Sequence, residues 1–139
     1  MGRGSAIKGV VPIDKMASEL TKQLAAWNQD IADATIKAVA ETTAETALEL
    51  KRTSPRRSGP DGGAYAKDWA ATALERSRYG LRNVVHNKHH YRLTHLLENG
   101  HANARGGGRT PAHPHIGIAE AHALEMLEEK MRQYINDVD

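Results

Sequence analysis

Apolar residues recur at spacings of three and four early in the chain, at Ile13, Met16, Leu20, Leu24, Trp27 and Ile31. That period is a stripe along one side of an α-helix. From Asp14, a suitable N-cap, to Thr53 there is no Gly or Pro, and Ala, Glu, Lys, Gln and Leu dominate, so the pattern predicts one long helix or two nearly continuous ones. Ser54 and Pro55 stop it, because the residue before a proline avoids the α region. The same period returns from about Ile118 to Asn136, where Leu124, Leu127, Met131, Tyr134 and Ile135 form an apolar face. Glu120 near its start and Lys130 and Arg132 near its end match the helix dipole. Tyr91 to Asn99 predicts a short helix with Leu93, Leu96 and Leu97 on one side, closed by Gly100, where a left-handed cap is cheap.

The intervening segments are less regular. Residues 1–12 hold three glycines and a proline with no period, which predicts a flexible arm that orders on assembly; residues 13–139 read as a single domain. Residues 54–64, SPRRSGPDGGA, are a loop by composition. Tyr65 to Arg78 is helical by propensity, yet Tyr65, Lys67, Trp69, Ala71 and Ala73 alternate with their neighbours as a strand would. Tyr79-Gly80 offers a turn, and Leu81 to Asn87 contains the β-favouring pair Val84-Val85, so a hairpin and a helix stay open here. Residues 101–115, with the triple glycine Gly106 to Gly108, two prolines and three histidines, predict a loop. There is no internal repeat.

Composition makes the long helix informative. The 139 residues amount to one ordinary domain, Leu, Ile and Val together are about a sixth of them, and Phe is absent. Much of the apolar content is alanine, which buries little area, so the private core is thin. A helix of ~40 residues at ~1.5 Å each is ~60 Å long, against a radius of gyration of ~14 Å for a compact domain of this length. Such a helix kinks or projects and buries its stripe, including Leu20, Leu24, Trp27 and Ile31, on other subunits; the alternative is two shorter helices folding back within a monomer.

The formal charge of +2 does not single out a dedicated nucleic-acid binder, and eight histidines make the protein more basic below their usual pKa. Without Cys there is no disulfide or thiolate site. No apolar run approaches a membrane span and the start lacks a signal-peptide core, so a soluble, unexported chain is expected. Among the histidines, His95, Glu98 and His101 superficially suggest a zinc hydrolase. A metalloprotease helix instead needs two histidines four apart with the Glu beside the first, and here Gly100 interrupts. His113-Pro114-His115 supplies two imidazoles, too few for a site. Gly106, Gly107, Gly108 and Arg109 could cradle an anion but lack the spacing of a phosphate loop; a loop that orders against a neighbour fits better. Lys51, Arg52, Arg56 and Arg57 are candidate DNA-phosphate contacts, or a solvated helix end. No nucleophile with a base partner stands out.

Tyr91-Arg92-Leu93-Thr94-His95-Leu96-Leu97-Glu98-Asn99-Gly100-His101, then Gly107-Gly108-Arg109, then Pro114-His115-Ile116 before a terminal helix, resembles a family of small neck proteins of long-tailed bacteriophages, also called minor tail components or tail-completion proteins. Lys67-Asp68-Trp69 and Val84-Val85-His86-Asn87 look like that family's preceding β region. The resemblance spans about residues 13 to 136; the arm, the loop 54–64 and the alanine-rich first helix depart from the pattern. It implies an α+β fold in which a long N-terminal helix and the C-terminal helix pack on a small antiparallel sheet, with a short helix and a glycine-rich loop between, and it tips Tyr65 to Asn87 towards strands. It also implies a virion protein assembled in the host cytoplasm, without cofactor or enzymatic activity. Its partners would be its own copies in a ring, for which a tail suggests sixfold symmetry, together with other neck and tail proteins and DNA in the channel. Leu93, Leu96, Leu97, Glu98 and Gly100 are then structural, and His101, Gly106, Gly107, Gly108, Arg109, His113 and His115 face neighbouring subunits. A small metal-dependent hydrolase is the alternative.

Overall fold

The computed structural model describes residues 13–57, 59–77 and 80–138; the predicted arm, residues 1–12, and Tyr79 of the predicted turn lie outside the described residues. The elements are α1 (Ile13–Thr53), α2 (Ala64–Lys67), β1 (Trp69–Ser77), β2 (Gly80–Asn87), α3 (Tyr91–Asn99), β3 (His101–Ala102), β4 (Arg109–Thr110) and α4 (Ile116–Asn136). This is the expected α+β class: a long first helix, a long last helix and small antiparallel sheets. No helix among the described residues is long and apolar enough to cross a membrane.

The first helix is a single element of 41 residues, not a pair. With neither Gly nor Pro between Ile13 and Thr53, nothing interrupts its hydrogen-bond ladder. At its end the Ser54 hydroxyl and N–H both donate to the Leu50 carbonyl, which closes the last turn ahead of Pro55.

The described residues separate into two compact units, 13–38 with 128–138, and 39–127. In the first, Ala38 is fully buried, Met131, Tyr134 and Ile135 are half-buried, and the Lys37 ammonium lies 4.4 Å from the centre of the Tyr134 ring. Met16, Leu20, Leu24 and Trp27 stay 40–60% exposed along α1.

The second unit holds the core. The ambiguous stretch from Tyr65 divides: Tyr65 and Ala66 sit in the single turn α2, and from Trp69 the alternation does make a strand. β1 and β2 pair antiparallel with Trp69 opposite Asn87, Ala71 opposite Val85 and Ala73 opposite Asn83. A register shift between Ala73 and Glu75 leaves Leu74 as an extra residue, a bulge that turns its side chain out, 58% exposed. Leu50, Tyr65, Trp69 and Ala119 form the buried cluster, with Val85, Leu97 and Ile116 packed against it. No large side chain among the described residues is completely buried, so the core is as thin as the composition requires.

Three expectations need correction. Leu124 does not belong to a buried face of α4: it is 64% exposed, and the fully covered residue there is Ala119. α4 also begins at Ile116, which puts Glu120 beyond the first turn and Lys130 and Arg132 short of the last, so its own charges do not compensate the ends of its dipole. Residues 101–115 are not all loop, since His101–Ala102 pairs with Arg109–Thr110.

Candidate functional site

The segment from α3 to α4 is held by one side chain. Gly100 leaves α3 with φ 72° and ψ 176°, which is not the left-handed cap expected from sequence but a region that glycine alone occupies readily. The turn lets the chain run out through β3 and return through β4. Gly100 then lies against the returning strand so closely that a Cβ would stand 2.6 Å from the Thr110 carbonyl oxygen. The His113 N–H donates to the Leu97 carbonyl at 2.7 Å, satisfying an end of α3.

Glu98 then reaches across to α4. Its carboxylate accepts the backbone N–H groups of His115 and Ile116 at 2.8 Å each and of Gly117 at 2.9 Å. These are N–H groups that the first turn of a helix cannot pair internally, and the positive end of the dipole favours the charge. This capping from another helix is why α4 starts before the boundary read from its apolar period. Burial pushes the Glu98 carboxyl up, but the three N–H groups outweigh it and hold it below its ordinary value.

Beneath the cap is a buried polar and aromatic cluster. The His115 side chain is covered, and its Nδ1 lies 2.7 Å from the His113 carbonyl oxygen, an acceptor only, so Nδ1 carries the proton. In the neutral ring Nε2 then accepts from the Tyr65 hydroxyl at 2.7 Å. Burial, aided by the Glu98 charge, pushes the Tyr65 phenol up to about 12, so it remains a donor. The Tyr65, Trp69 and His115 rings meet edge-on at 5.6–6.3 Å, and the Trp69 indole N–H donates to the Ser54 hydroxyl at 2.7 Å.

A second knot orders the entry to α3. Asp68 accepts from His89, through its N–H and Nδ1, and from His90 Nδ1 at 2.8 Å, while Asn87 donates to the Tyr65 carbonyl and accepts the His90 N–H at 2.9 Å each. The bonds from His89 are the main reason the Asp68 carboxyl is held at about 2.

The residues singled out from sequence distribute as follows. Leu97 packs on the core, while Leu93 and Leu96 are 40% and 39% exposed. Gly106, Gly107 and Gly108 take φ of 80–89° at the exposed tip of the β3–β4 hairpin, which Asn103 closes by bonding Gly107, Gly108 and Thr110. The loop therefore has its own closure without a neighbour. Arg109 is exposed on β4, His101 half-buried on β3, and His113 exposed. His115 is enclosed within its own unit. Leu20, Leu24 and Trp27 are exposed on α1 and Ile31 is half-buried. Lys51, Arg52, Arg56 and Arg57 surround the end of α1, where a cavity of about 330 Å³ is lined by Arg56, Arg57, Tyr65, His90, Leu93 and His113.

His95, Glu98 and His101 do not converge as a ligand set. Glu98 is occupied by the α4 backbone, His95 lies against Asn99, and His101 Nδ1 donates to the Ala102 carbonyl. Among the described residues no group of three or more His, Asp and Glu side chains is placed to hold a metal. Sequence reasoning passed over Ser54, Tyr65, Asp68 and Asn87. The available signal was position, since Asp68 immediately precedes β1 and Asn87 ends β2 opposite Trp69.

A family model described as "Bacteriophage HK97-gp10, putative tail-component" matches residues 14–100. No curated protein and no solved structure matches.

Proposed function

This chain belongs to the HK97-gp10-like family of bacteriophage tail components, and from that premise we propose that it forms a ring at the head-proximal end of the tail, where it helps join head to tail around the DNA channel. As a tail component it is a structural protein of the virion. The observation that carries the finer reading is the uncovered stripe Met16, Leu20, Leu24 and Trp27, at steps of four, four and three along α1. A monomer has little reason to keep four large apolar side chains aligned in water, whereas a ring of copies buries such a stripe repeatedly. The β3–β4 hairpin, with its exposed glycine tip and Arg109, is the contact to the adjacent subunit or to the next neck or tail protein. The exposed cations Arg52, Arg56 and Arg57, with the half-buried Lys51, turn toward the channel. We read residues 13–139 as one assembly domain whose two units are completed by neighbours.

Complementation of a phage lacking this gene tests the reading. L20E/L24E is expected to give a folded protein by circular dichroism, but unjoined heads and tails by electron microscopy. Deletion of residues 103–110 is expected to do the same by removing the hairpin contact. Normal infectious particles from both variants would refute the proposal.

A further inference from the structure

The end of α1 carries more positive charge than its own sequence shows. Between Glu49 and Asp61 the chain has Lys51, Arg52, Arg56 and Arg57 and no acid. The fold adds two lysines from elsewhere: Lys67, at the end of α2, and Lys88, after β2, line one groove with Lys51 over a floor that includes Ala47 and Trp69. Arg56 and Lys67 meet over Gly63, where a Cβ would lie 2.7 Å from the guanidinium and 3.7 Å from the lysine Cε. The same guanidinium donates to the Lys51 carbonyl at 3.0 Å, which holds it beside the groove.

Charges so gathered would ordinarily be met by carboxylates. Asp68 lines the groove and Asp61 the cavity that Arg56 and Arg57 line, and the Asp68 carboxylate is spent on His89 and His90. Among the described residues none of the six cations pairs with a carboxylate. Tyr65 and Trp69, which line the cavity and the groove, are 6% and 5% exposed and so offer no face for a base to stack on.

We propose that Lys51, Arg52, Arg56, Arg57, Lys67 and Lys88 form one phosphate-binding surface that holds the backbone of duplex nucleic acid without reading its sequence. Spread over four chain segments, flexible cations suit a lattice of repeated phosphates. With the Tyr and Trp rings of its lining covered, this surface differs from single-strand binders, which need stacking platforms. The inference rests on the reading of the chain as a component around the DNA channel and identifies which atoms the DNA meets there.

The test is fluorescence anisotropy of the full chain with a labelled DNA duplex of random sequence across a salt series. If all six cations engage, log K falls against log salt with a slope of about −5, a loss on the order of a thousandfold between about 50 and 200 mM. K67Q/K88Q is expected to make the slope shallower by about 2. Their backbone bonds to Gly63 and Asp68 remain, so the fold is kept, as circular dichroism will check. R82Q/R132Q, exposed cations on β2 and α4, is expected to leave the slope unchanged. No binding at the lowest salt, a K67Q/K88Q slope equal to wild type, or an equal loss in R82Q/R132Q overturns the proposal. Polyglutamate binding as tightly as DNA also overturns it, in favour of an acidic protein partner. Ring formation by the same variants, scored by electron microscopy, separates failure of this surface from failure of the assembly reading.

Discussion

Replacing Glu98 by alanine removes an acceptor shared by the first three N–H groups at the start of α4, at 2.8, 2.8 and 2.9 Å. A lost N-cap costs ~0.5–2 kcal/mol, and the charge at a partly buried helix N-terminus adds ~0.3–2 kcal/mol. The Glu98 side chain is 20% exposed and Gly117 is exposed, so water replaces part of the loss at the surface. The expected cost of E98A is therefore about 2–3 kcal/mol, in the middle of the range these two effects allow together. E98Q keeps one acceptor oxygen and loses the charge, so its cost is about 1 kcal/mol. Urea unfolding followed by circular dichroism at neutral pH measures both.

The acid dependence provides an independent check. The folded Glu98 pKa lies below its ordinary value, so its stabilisation is complete above the unfolded value and is lost as pH falls through the folded one. Alanine cannot titrate. The gap between wild type and E98A is accordingly expected to close on acidification, while other carboxylates lower both curves alike. An E98A cost under ~0.5 kcal/mol, the range of an ordinary surface substitution, would refute the reasoning. So would a gap that stays constant into acid.

Gly100→Ala combines a positive φ with a Cβ 2.6 Å from the Thr110 carbonyl, so it is expected to cost upward of ~2 kcal/mol by urea unfolding. Gly107→Ala, in open space and strained only by its φ of 85°, is expected to cost about 1 kcal/mol. Ser54→Ala leaves the buried Trp69 indole N–H without its acceptor and is expected to cost about 1–3 kcal/mol, with a change in tryptophan emission. Asp68, held at about 2 against an ordinary 3.8, contributes stability that is complete above pH 3.8 and is lost as pH falls through 2. D68N is thus expected to flatten the stability–pH curve of the folded chain over that window, measured by thermal unfolding.

The sequence alone carried the helices α1, α3 and most of α4, because a 3.6-residue period is a local property that holds whatever the helix packs against. It also carried the thin core, since composition limits the area that can be buried. Its motif between Tyr91 and Ile116 pointed to the same kind of phage tail protein as the family match over residues 14–100. Read from its own residues, Tyr65 to Arg78 stays open, because an alternating pattern with good helix formers satisfies both periods; the family resemblance tips it towards strands. Only the pairing of Trp69 with Asn87 and of Ala71 with Val85 selects the strand, and that partner comes from another part of the chain.

What only the tertiary structure decided are the contacts made at long separation. Glu98 reads as a residue of its own helix, yet its carboxylate caps a helix that starts 18 residues later, at Ile116. His115 reads as one of several surface histidines, yet it is buried against Tyr65, 50 residues away. Lys67 and Lys88 read as isolated charges, yet they join Lys51 in one groove. Periodicity shows which face of an element is apolar, but hydrogen bonds and charges act between atoms a few ångströms apart. Folding alone determines which atoms those are.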